Sequence, residues 1–130
     1  MNKTELIAEV AAKTGKTARI YPETSESDTE DRQRLGKFLS ELEYPAAVLA
    51  VNDIRATDVI AAANESGITV PTKVSVLGID NDPYICDGIT PGISSIEPDF
   101  HEEGKAAAEL LDKMMHSRHP KGARNLFFGV

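Results

Sequence analysis

The stretch Ala47 to Asp82, AVLAVNDIRATDVIAAANESGITVPTKVSVLGIDND, decides the fold, because it holds two apolar runs that each end abruptly in acid and amide residues. Ala47-Val48-Leu49-Ala50-Val51 is a short continuous run of the kind expected for a strand buried on both faces, and it stops at Asn52-Asp53. Val74 to Ile79 repeats the pattern and stops at Asp80-Asn81-Asp82. Between them Ile54 to Ser66 places Ile54, Val59, Ile60 and Ala63 at helical spacing, with Gly67 as a helix stop and Pro71 following. Two strands joined by a helix run parallel with a right-handed crossover, so Asn52 and Asp80 are expected at the same carboxyl edge of one sheet. Open α/β sheets bind ligands at that edge.

Asn supplies donors and an acceptor, and ionised Asp supplies acceptors, so the pair suits a polyhydroxylated or amide-bearing small molecule. A purely structural reading stands beside this one: Asp53 caps the helix, and Asp80 to Asp82 form a turn.

The chain of 130 residues suffices for one domain with a real core and is short for two. Its 14 basic and 21 acidic side chains give a formal charge of −7, which opposes nucleic-acid binding unless a basic patch overrides it. The most basic segment, His116 to Arg124, reads as a solvated linker. No apolar run approaches the roughly 20 residues that span a membrane, and no leader pattern opens the chain, so a cytoplasmic protein without membrane contact is expected. The single Cys86 excludes an internal disulfide and reads as a small loop hydrophobe. His101, His116 and His119 lack the spacing and acidic partners of a metal motif. Neither a phosphate-cradling glycine loop nor a nucleophile elbow is present, so no enzyme activity and no cofactor are expected.

Outward from the central unit, Thr4 to Lys13 carries a helical stripe of Leu6, Ile7, Val10 and Ala11, closed by Gly15. Ala18 to Tyr21 is a strand candidate ended by Pro22. Glu23 to Asp31 reads as an acidic loop, and Gln33 to Leu42 as a helix with a core stripe of Leu35, Phe38, Leu39 and Leu42. Pro83 to Gly92 is expected to be an irregular loop beside the ligand edge. Ile93 to Ile96 reads as a short strand, and Phe100 to His116 as a helix with Ala107, Leu110, Leu111, Met114 and Met115 on its core side. Leu126 to Val130 reads as a terminal strand.

From Tyr44 to Met115 the sequence resembles the sugar-sensing regulators of the lactose- and galactose-repressor family, whose effector domains share the periplasmic sugar-binding fold. PAAVLAVNDIRATDVIAAANESGITVPTKVSVLGIDND, ISSIEPDF and EEGKAAAELLDKMM carry the likeness. GIDNDPYICDG, ISSIEPDF and ARNLFFGV look most like xylose operon regulators.

The resemblance implies an α/β fold, a parallel sheet with helices on both faces, with residues 1–130 as the C-terminal subdomain of a sugar effector-binding domain. The partner lobe, the DNA-binding module and the lobe's first, central strand would lie outside this chain, and the sheet would then rearrange or pair with another chain. The resemblance also implies that Asn52 and Asp80 hydrogen-bond sugar hydroxyls. Asn81 or Asp82 would stand in for a Gln that relatives carry where this chain has Pro98, and Arg55 would pair with an acid of the Asp80-Asn81-Asp82 cluster. Thr57, Asp58 and Ile85 become candidates for a homodimer interface, and DNA is reached only through the absent module. Two rivals use similar features: a solute-binding component of a sugar transporter, and a phosphoacceptor receiver domain with magnesium, which also needs an acidic pair and a Lys that this chain lacks at suitable positions.

Overall fold

The computed structural model describes residues 3–22 and 28–116. Its elements in chain order are α1 (Lys3–Thr14), α2 (Asp28–Ser40), β1 (Ala46–Leu49), α3 (Asp53–Glu65), β2 (Val74–Ile79), α4 (Pro83–Cys86), β3 (Ser94–Ile96) and α5 (Phe100–His116). The strands form one parallel sheet in the order β1-β2-β3. In β1 and β2, Ala46 pairs with Val74 and Leu49 with Leu77, as the strand–helix–strand reading requires.

Alternation along the strands sorts their side chains. Val48, Val74 and Val76 face a core completed by Leu35 and Leu39 of α2 and by Val59, Ala62 and Ala63 of α3. Full burial of a side chain such as Leu39 contributes roughly 1.5–3 kcal/mol. Helices α2 and α3 approach closely at Gly36, where a Cβ would meet the Ser66 hydroxyl. A second core joins Ala50, Ala56, Ile60, Cys86 and Ile93 beneath the strand ends. The stripe expected on α2 is therefore observed, and that helix starts earlier, at Asp28, with Asp28, Glu30 and Asp31 in its first turn, where acids suit the helix dipole.

Several expectations change. Helices α2 and α3 pack on the side of Val74, while Leu49, at 57% exposure, and Leu77, at 37%, are left exposed by the described residues. The β1 run is consequently half-exposed in alternation, and not buried on both faces. No residue of α5 is buried, so Leu111, Met114 and Met115 form an exposed stripe instead of a core face.

Residues 18–21 form no strand, and the side chains of Arg19 and Tyr21 turn to α2. The Tyr21 ring meets Phe38 edge-on at 5.2 Å, its hydroxyl donates to Asp31 Oδ1 at 2.9 Å, and Arg19 lies over the Phe38 ring. The loop expected at 83–92 begins with the short helix α4, started by Pro83 at a position that suits its missing N–H. The strand expected at Leu126 to Val130, and His119, lie outside the described residues.

Candidate functional site

Beyond the last β1–β2 pair the register continues through Ala50, whose N–H donates to Leu77 O at 2.9 Å. Asn52 and Asp80 each follow their paired strand by the same three-residue step from Leu49 and Leu77, so both sit at the carboxyl edge. The sheet also orders the third strand there, since Asp80 N–H donates to Ile96 O at 3.0 Å.

Asn52, and not Asp53, caps α3: its Oδ1 accepts from Arg55 N–H at 2.7 Å. A capping oxygen satisfies one orphan donor of the first turn. The NH2 group is then the donor that Asn52 can offer a ligand. Asp80 is exposed, and its backbone φ of 113° is followed by 52° at Asn81, a left-handed excursion that normally favours glycine. Such conformations cost of order 1–3 kcal/mol and persist only where surrounding bonds hold them. Here the Asn81 N–H donates to Ser95 Oγ at 3.0 Å and its side-chain amide to Glu97 Oε2 at 3.3 Å. Asp82 caps α4 through its Oδ1, which accepts from Tyr84 N–H at 2.9 Å.

Asp53 is only 1% exposed and lies at the centre of these loops. Its carboxylate accepts from the Ser95 hydroxyl, from Asp82 N–H at 2.8 Å and from the Cys86 thiol at 3.4 Å. Burial pushes its pKa up, but the bonds from Ser95, Asp82 and Cys86 outweigh burial and hold the carboxyl below its ordinary value. Gly78 of β2 makes room for it, since a Cβ there would collide with Asp53 Oδ1. Burial and the Asp53 charge raise the Cys86 thiol, which is thus an inert, buried donor.

Arg55 does not join this cluster. Its guanidinium pairs with Asp31 at 2.7 Å and Asp58 at 3.2 Å and lies 5.8 Å from the Tyr21 ring centroid. The cause is helical phase: residues 55, 58 and 62 share the face of α3 that meets α2. The Arg55–Asp31 pair raises the arginine and lowers the carboxyl. Among the proposed interface residues, the Thr57 hydroxyl donates to Ile54 O at 2.7 Å, Asp58 pairs with Arg55 and Arg32, and Ile85 packs beside the second core.

Ser95, Glu97 and the central role of Asp53 escape a reading of local pattern, because their partners lie up to 42 residues away. One signal was available: an isolated glycine within an apolar strand marks a close approach, and Gly78 is that residue. Among the described residues no cluster of His, Cys, Asp and Glu can hold a metal ion, and no helix is long and apolar enough to cross a membrane.

Residues 4–128 match the family described as a periplasmic binding protein-like domain. The chain belongs to this family. It is similar to the xylose operon regulatory protein of Haemophilus influenzae, at 35% identity over 68% of this chain and 23% of that protein. It is also 35% identical to the HTH-type transcriptional repressor PurR of Pectobacterium carotovorum, over 63% of this chain and 24% of the repressor. A LacI family transcriptional regulator from Arthrobacter superposes with a TM-score of 0.61 at 29% identity, covering 92% of this chain and 44% of that one. A structure described as a xylose-binding transcription activator superposes at 0.64 over 93% of this chain and 33% of that one; at 24% identity it supports the periplasmic-binding-protein-like fold alone. The chain thus spans about a quarter of the curated relatives it matches.

Proposed function

We propose that this chain is the C-terminal subdomain of the sugar effector-binding domain of a bacterial, cytoplasmic transcription regulator, with a pentose such as xylose as effector. The observation that carries the reading is the shared edge: the Asn52 amide and the Asp80 carboxylate follow adjacent parallel strands, at the place where such sheets take ligands. A donor amide and an acceptor carboxylate at one sheet edge suit vicinal hydroxyls, which both give and receive hydrogen bonds. Asn81 lines the same turn, while Asp82 acts as a cap and Arg55 is assigned to the α2–α3 seam.

In the intact regulator a second lobe supplies the opposite wall of the cleft. Sugar touching both lobes only in the closed form shifts the population toward closure by its differential affinity, and a DNA-binding module and homodimer read the altered geometry. The relatives favour this regulator over a transporter component, since those matched are transcription regulators. The same kinship argues against catalysis.

One lobe offers half the enclosure, so the isolated chain binds sugar weakly. Titrating D-xylose into the isotopically labelled chain should produce saturable NMR shifts centred on Asn52, Asp80 and Asn81, with millimolar affinity. Micromolar affinity, or shifts centred elsewhere, would contradict the proposal.

A further inference from the structure

We infer that Asp53 is the positioning residue of the effector edge: through Ser95 and the Asp82 main chain, its carboxylate fixes the Asp80–Asp82 turn against the helix whose cap is Asn52. The inference rests on the sugar-site reading above and extends it to residues that do not themselves touch sugar.

Three independent elements converge on this one side chain. Ser95 comes from β3, the Asp82 N–H from the segment after β2, and Cys86 from α4, while Asp53 itself opens α3 next to Asn52. Ser95 is a relay, giving its proton to Asp53 and receiving the Asn81 N–H on the same oxygen. The left-handed pair Asp80 and Asn81 is therefore bracketed on both sides: Asp80 N–H is held by Ile96 O, Asn81 N–H by Ser95, and Asp82 N–H by Asp53. Where Asp80 stands relative to Asn52 is thus set by a carboxylate adjacent to Asn52 in the chain. An amide at position 53 replaces one acceptor oxygen with a donor: turned to Asp82 it faces another N–H donor, and turned to Ser95 it donates to the hydroxyl oxygen and leaves the Ser95 proton without its acceptor.

The test combines a sugar-free and a sugar-bound measurement on the labelled chain, using Asp53→Asn, Ser95→Ala and Ser95→Thr. Amide hydrogen exchange should speed up about tenfold or more at Asn81 and Asp82 in Asp53→Asn and Ser95→Ala, with β2 amides of the ladder unchanged. D-xylose affinity should fall by about tenfold in both variants. Ser95→Thr keeps the hydroxyl and should retain both properties, which general destabilisation would not explain. If Asp53→Asn does not fold, Ser95→Ala carries the same comparison. Wild-type exchange at Asn81 and Asp82 in Ser95→Ala would overturn the inference, as would accelerated exchange with undiminished D-xylose binding. A wild-type chain that shows no D-xylose shifts, while the turn amides of the variants accelerate as expected, would overturn the sugar-site reading and Asp53's role in it.

Discussion

At the strand ends Asp53 is buried and held by a hydroxyl, a main-chain N–H and a thiol, whereas Asp31 lies at the partly buried seam between α2 and α3 against the Arg55 guanidinium. Both carboxyls titrate below their ordinary value, for different reasons. For Asp31 the leading cause is the hydrogen bond from Arg55; for Asp53 burial works against ionisation and the surrounding donors outweigh it. An ion pair at a seam joins two helices and tolerates relaxation, while a buried carboxylate among directional donors fixes the relative placement of several loops.

The largest effect is expected at Gly78. Gly78→Ala drives a methyl into Asp53 Oδ1 at a buried site and should destabilise the chain by about 3 kcal/mol, read by urea unfolding. A cost below about 0.5 kcal/mol would mean that Asp53 is not seated against β2. Asp53→Asn keeps the volume and loses one acceptor, so a cost of about 2 kcal/mol is expected in the same assay. Asp31→Asn, at 15% side-chain exposure, should cost about 1 kcal/mol. Salt sharpens the contrast with the smallest effect. High ionic strength should erode the Asp31 contribution by a few tenths of a kcal/mol and leave that of Asp53 in place.

The parallel unit and its edge were legible because apolar runs of strand length with an amphipathic helix between them admit few topologies. Asn52 and Asp80 fall at that edge as the spacing requires. What was illegible depended on contacts distant in sequence. Asn52 and Asp53 are both good caps, so local chemistry could not decide which one caps the helix and which turns inward to Ser95 and Asp82. Local spacing points Arg55 to the Asp80–Asp82 cluster, whereas its partner Asp31 comes from α2, outside the strand–helix–strand unit. The apolar segment at 18–21 reads as a strand by composition, yet Tyr21 and Arg19 find aromatic and acidic partners on and beside α2 instead of a ladder. The stripe on α5 shows the converse, a periodicity suited to a core that these residues do not complete.

The most direct test of Asp53 as the ionised centre of the edge is its side-chain carboxyl carbon shift followed by NMR as pH is lowered. Because the folded-state pKa lies below the unfolded value of about 3.9, its stabilising contribution is complete above that value and is lost as pH falls through the folded pKa. A midpoint below the ordinary carboxylate range is expected, accompanied by loss of protection at the Asp82 amide. An ordinary or raised midpoint, or an Asp82 amide indifferent to it, would mean that an ionised Asp53 does not hold the edge.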